Sequence, residues 1–207
     1  MDKIVTKKID WIRRVVDIIN DNEVIDALAI YGYNNTNIKK LKSIYTNTYS
    51  LIIKQRGKRQ DLHRVNIEFK NRLNSVNSTI RKDISLYKIA FSKYKVLKKL
   101  IPEYYTTIPY NKWREISLMF YSGIKNEPDA INILSEYNVT TKVIDNRIDG
   151  IKDVERLSVL RDRERTESKE ATHARNEALD DLTTECRKVV GLARLILGND
   201  SGLLQRV

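Results

Sequence analysis

Two histidines, one cysteine and a few carboxylate–base pairs are the residues of this chain whose types and spacing could carry chemistry. Glu170 and His173 form a Glu-x-x-His pair, which sets a carboxylate and an imidazole one helical turn apart; di-iron helical bundles need such a pair on each of two helices. The matching pair is missing, because Gln60, a poor iron ligand, stands three residues before His63. Glu170 and His173 therefore read as a charged helix end, and no metal is expected. Cys186 falls in an apolar register and reads as a small core residue, although Arg187 and Lys188 would depress its pKa if it were exposed. With two histidines and no glycine-rich phosphate loop, neither a nucleophilic triad nor a nucleotide-binding motif can be assembled. From Asp162 to Glu170 the acids alternate with Arg163, Arg165 and Lys169, the pattern of a solvated helix face held by pairs four residues apart. No catalytic, cofactor-binding or metal-ligating residue is expected, and the chain reads as a non-enzyme.

Charge is the other chemical signal. The 207 residues carry a formal net charge of +11. Residues 1–108 hold 22 Lys/Arg against 10 Asp/Glu, whereas residues 109–207 hold 16 against 17. Between Thr36 and Ile101 there are 17 basic residues and only three acids, Asp61, Glu68 and Asp83. Such a surface attracts polyanions. The candidate nucleic-acid residues are Lys39, Lys40, Lys42, Lys54, Arg56, Lys58, Arg59 and Arg64, with Tyr45, Tyr49, Tyr87 and Tyr94 available to stack on bases. Against this, the tyrosines lie on or beside apolar stripes, the basic residues scatter around their helix, and no recognised DNA- or RNA-binding motif is present. The abundance of Lys, Asn, Ile and Tyr also follows from an A/T-rich coding sequence. The expected function is a structural or protein-interaction module that binds an unknown protein partner or a second copy of itself; nucleic-acid binding is the alternative.

The elements that must position these residues are helices. Seven Gly and three Pro leave few places to turn, so the expected class is all-α. One cysteine suits a reducing compartment, Met1–Asp10 lacks the apolar core of a signal peptide, and no run approaches the ~20 apolar residues of a membrane span. A cytoplasmic location and no membrane span are expected. From Asp61 to Ile101, apolar residues at Leu62, Val65, Phe69, Leu73, Val76, Ile80, Ile84, Tyr87, Phe91 and Tyr94 repeat every eleven residues, a stripe on one helix of roughly 60 Å ended by Pro102. Before it the sequence predicts a helix over about Asp2–Asn20, a short one over Glu23–Tyr31 capped by Gly32, and one from about Ile38 to Gly57. A tight polar hairpin is expected at Arg56–Asp61. After a linker at 103–110, a helix capped by Asn111, a short helix opened by Pro128 and a long helix from Thr140 or Thr141 follow. A second hairpin is placed near Arg165–Ala171, then a last helix reaching Leu197, terminated by Gly198–Gly202. The expected domains are a basic module over 1–102 and a near-neutral one over 111–207, each with short helices and a long antiparallel αα-hairpin, forming an elongated bundle.

An internal repeat is the strongest signal. Sliding the chain by 106 residues aligns 24–91 with 130–197 without a gap. Leu28 meets Leu134, Tyr31 meets Tyr137, Arg81 and Lys82 meet Arg187 and Lys188, and Leu86 meets Leu192. Identities are only ten in 68, but an apolar register is shared, with Val76, Ile80, Ile84, Ile89 and Phe91 meeting Leu182, Cys186, Val190, Leu195 and Leu197. The segment from Glu170 to Leu182, with Leu192–Leu197, Leu203-Leu204 and the Tyr137–Thr140 turn, resembles the C-terminal signature of uncharacterised bacterial all-helical proteins with duplicated helical-hairpin modules. That resemblance implies a duplicated all-helical fold and brings no activity with it. The chain departs from the pattern in ending at Val207 without a final glycine-containing turn.

Overall fold

Several helix ends follow from local chemistry. In the computed structural model, which describes residues 3–103 and 108–198, every regular element is a helix. In chain order these are α1 (Lys3–Ile18), α2 (Asn22–Ile30), α3 (Asn35–Ala90), α4 (Lys95–Lys98), α5 (Tyr110–Lys125), α6 (Pro128–Ser135) and α7 (Thr141–Leu197). The Asp21 carboxylate accepts from the Glu23 N–H and opens α2. At the start of α3 the Asn34 side chain accepts from the Thr36 N–H at 2.9 Å, while the Asn37 side chain accepts from the Asn34 N–H at 3.1 Å, a reciprocal capping arrangement. Gly32, at φ 77°, closes α2 as its sequence position predicted: its N–H donates to Ala29 and that of Tyr33 to Leu28, both at 3.0 Å. Asn138, at φ 60°, closes α6 by the same pair of bonds, Asn138 to Ser135 and Val139 to Leu134.

The two hairpins expected at Arg56–Asp61 and Arg165–Ala171 do not form; α3 runs on for 56 residues and α7 for 57. A single helical glycine without proline costs about 1 kcal/mol, too little to break a helix that packs on both sides of it. What resembled a turn is a change of buried face. Ile38, Leu41, Thr48, Ile52 and Gln55 are buried along the first part of α3, none of residues 56–64 is, and burial resumes at Val65 and Phe69 on a rotated phase. In α7 the same gap falls between Ser158 and Ser168. The far end of α3 is also corrected: the helix stops at Ala90 rather than near Ile101, because the turn after it lets both Phe91 and Leu97 bury, leaving Tyr94 exposed. Within the linker, residues 104–107 lie outside the described residues, as do Asp2, Asn199–Gly202, Leu203, Leu204 and Val207. The first helical residue after the linker is Tyr110, one before the expected cap Asn111.

The described residues form two compact units, and these divide the chain differently from the boundary expected at 103–110. Residues up to Gln60 pack with those from Thr166 onward, while Asp61–Arg165 form the second unit. The first unit thus holds α1, α2, the opening half of α3 and the closing half of α7, around Ile12, Val15, Ile19, Leu28, Leu41, Leu182, Cys186 and Val189. There α3 and α7 run antiparallel: Thr48 donates to the Ala178 carbonyl, and Lys58 pairs with Glu167. The second unit holds the closing half of α3, α4, α5, α6 and the opening half of α7, around Ile80, Tyr87, Phe91, Phe120, Ile124, Leu134, Ile144 and Ile151. Burying each such side chain contributes about 1.5–3 kcal/mol, so these clusters, not the surface ion pairs, hold the units together. Among the described residues, no helix is long and apolar enough to cross a membrane.

Candidate functional site

The sequence-selected residues fall in ordinary helical settings. Lys39, Lys40, Lys42, Lys54, Arg56 and Arg59 are exposed on α3 in the first unit. At roughly 100° per residue they spread over much of the exposed arc instead of lining one stripe. Lys58 is half-buried against Glu167. Arg64 belongs to the second unit, where it reaches Asp61 at 3.3 Å and Glu68 at 3.9 Å. Tyr87 is fully buried, whereas Tyr45 and Tyr49 stack on each other with centroids 6.3 Å apart. His63 and His173 are exposed, and His173 lies 3.1 Å from Glu177, one turn along the same helix. Among the described residues no three His, Cys, Asp or Glu side chains are grouped to hold a metal ion. Cys186 is buried as its register predicted, and burial, followed by the nearby Glu185, pushes its thiol up to about 12.

The second unit contains a polar cluster that pattern reading passed over. Asp83 sits on α3 between Ile80, Ile84 and Tyr87, on the apolar side of the helix, and its side chain is 9% exposed. The Tyr121 hydroxyl on α5 donates to Asp83 Oδ2 at 2.6 Å, and Arg147 Nε on α7 donates to the same oxygen at 2.9 Å. Burial, then the bond to Asp83, raises the Tyr121 pKa; burial, then the Asp83 charge, raises that of Tyr87. Three helices are thereby tied at one carboxylate. Three turns before Asp83 on the same helix, Arg72 Nη2 donates to Asp153 Oδ2 on α7 at 2.7 Å. Between the two guanidinium groups lies a small cleft of about 80 Å³, lined by Arg72, Ser75, Thr79, Tyr121, Asn146, Arg147 and Gly150 with Val76 and Ile80. A carboxylate at an apolar register position was the available signal for this site. It carried no weight alone, because the partners Tyr121 and Arg147 are distant in sequence.

Two surface features complete the inventory. Exposed large apolar side chains recur at a 106-residue spacing: Ile53 and Val159, Tyr31 and Tyr137, Ile89 and Leu195. In the second unit, Tyr94–Leu97 and α6 border an open groove with Glu127 and Asp129 on its rim and Ile133 in its wall. No protein-family model, curated protein or solved structure matches the chain.

Proposed function

We propose that the chain is a non-catalytic interaction module, built from two copies of one three-helix sequence repeat, that offers the same surface twice to a protein partner. Helices α1, α2 and α3 have 16, 9 and 56 residues, and α5, α6 and α7 have 16, 8 and 57, in the same order. The start of α3 at Asn35 and of α7 at Thr141 differ by the 106 residues of the sequence repeat. The observation that carries the functional reading is at the end of each long helix. Ile89 is 64% exposed and Leu195 71%. Each follows an exposed lysine by seven residues, Lys82 and Lys188, and a half-buried leucine by three, Leu86 and Leu192, so each trio lies along one helix face. A basic and apolar face held in both copies fits an acidic amphipathic segment, whose apolar side chains cover the isoleucine or leucine while its carboxylates meet the lysines. The net charge of +11 disfavours a second copy of this chain as that partner.

Photo-crosslinkers placed at position 89 and at position 195 test the reading in the native host. The same acidic protein is expected from both positions, and Ile89→Glu together with Leu195→Glu should abolish its capture while either change alone weakens it. Different products at the two positions, or capture unaffected by the paired change, would overturn it. Nucleic acid is the alternative that the 17 basic residues of Thr36–Ile101 keep in view. Oligonucleotide binding that persists near physiological salt, and falls steeply and linearly on a log–log plot as salt rises, would put that reading first.

A further inference from the structure

We propose that the cleft between Arg72 and Arg147 is a binding site for a single tetrahedral oxyanion of the phosphoryl class. The lining carries the argument. Its polar groups are two guanidinium groups, two hydroxyl side chains, one amide and one phenol, and no carboxylate is among them. The Tyr121 proton goes to Asp83 and the Thr79 proton to the Ser75 carbonyl, so the donors left for an anion are the two guanidinium groups, the Ser75 hydroxyl and the Asn146 amide. The carboxylates stand behind the arginines: Asp83 takes the Nε of Arg147 and Asp153 takes an Nη of Arg72. Each arginine is oriented by one bond and has further N–H donors on its fork. A volume of about 80 Å³ holds two or three waters, the space of one small oxyanion and little more.

Gly150 supplies a second, independent reason. It lies inside α7, where glycine costs about 1 kcal/mol relative to alanine. A Cβ there would meet Val76 at 3.5 Å and Arg72 Nη2 at 3.7 Å, ordinary contact distances, so helix packing does not require the glycine. What the missing side chain does is leave the cleft open beside Arg72. The register of the two copies adds a comparison that rests on the two-copy reading, as the lining itself does not. At 106 residues' remove, Arg147, Gly150 and Arg72 correspond to Leu41, Ile44 and Ala178. Leu41 is buried and Ile44 packs against the same core. The first unit thus carries apolar or small side chains at these positions, and the donors that line the cleft are a local addition to the second unit.

The test is isothermal titration of the full chain at low ionic strength with inorganic phosphate, with glycerol phosphate, and with chloride matched in ionic strength. Saturable binding of one phosphate per chain is expected, with chloride giving no such signal. Removing one charged donor with Arg72→Gln, or filling the cleft with Gly150→Ile, should weaken it about tenfold or more. Asn146→Leu, at an exposed position that folding tolerates, provides a third variant expected to weaken binding should Gly150→Ile fail to fold. Equal binding of glycerol phosphate would identify a phosphoryl group carried on a larger molecule, and its exclusion would identify the free anion; either supports the site. Absence of saturable binding by the wild type in millimolar phosphate, or unchanged binding in Arg72→Gln and Asn146→Leu, would overturn it. Phosphate binding that survives Ile89→Glu with Leu195→Glu separates this site from the partner surfaces above.

Discussion

At the residue scale, the Asp83 cluster separates what the fold needs from what it merely holds. A buried ion pair repays its desolvation only when every partner is in place, and removing one leaves the others buried and unpaired. Asp83→Ala strands Arg147 Nε and the Tyr121 hydroxyl, and is expected to destabilise the protein by about 3–5 kcal/mol. The triple change Asp83→Leu, Tyr121→Phe and Arg147→Met replaces the cluster by apolar groups of similar volume and should recover most of that loss, as Val189 and Leu41, their counterparts on the proposed two-copy reading, suggest for Asp83 and Arg147. Urea unfolding of the two variants checks both halves of the expectation. A triple variant no more stable than the single one would make the cluster a structural requirement. Asp83 was visible in the sequence as a carboxylate within an apolar stripe. Its importance was not, because that depends on residues 38 and 64 positions away being brought to one oxygen atom.

At the element scale, the instructive residue is Gly57. Read with Arg56 and Asp61, it suggested a hairpin, since glycine and polar neighbours mark turns. It lies instead within α3, and a Cβ there would meet nothing within 4 Å. Gly57→Ala is therefore expected to stabilise the protein by about 0.5–1 kcal/mol, measured by thermal or urea unfolding. Destabilisation would instead restore the turn. The contrast with Gly32 is physical: Gly32 has φ 77°, where a side chain is strained, and the bonds of its own N–H and that of Tyr33 close α2. Composition marks both glycines alike; only backbone conformation separates them. The eleven-residue stripe was read correctly from Val65 to Phe91: Val65, Phe69, Val76, Ile80, Ile84, Tyr87 and Phe91 are buried and Leu73 half-buried, with Asp83 and Ala90 buried beside it. It overran at Tyr94, because periodicity continues past the point where the chain turns to bury Leu97.

At the scale of the whole molecule, the units are not the halves of the sequence. Each combines the short helices and opening half of one long helix with the closing half of the other. Neither 1–102 nor 111–207 contains a complete unit, so each fragment alone leaves both of its half-cores exposed to water. Separately produced, the two fragments should each be poorly ordered or self-associated, and mixing them should restore the helical signal and cooperative melting of the intact chain. Circular dichroism and light scattering on the separate and mixed fragments test this; two independently folded, monomeric halves would contradict the unit assignment. The sequence by itself determined the helical class, most helix starts, much of the apolar register and the burial of Cys186, because each rests on the short-range geometry of a helix and its caps. Tertiary structure alone decided that α3 and α7 run unbroken, which half-helices share a core, and that Asp83, Tyr121 and Arg147 meet. Those outcomes depend on which apolar face finds a partner, and a helical stripe carries no label for the surface that will cover it.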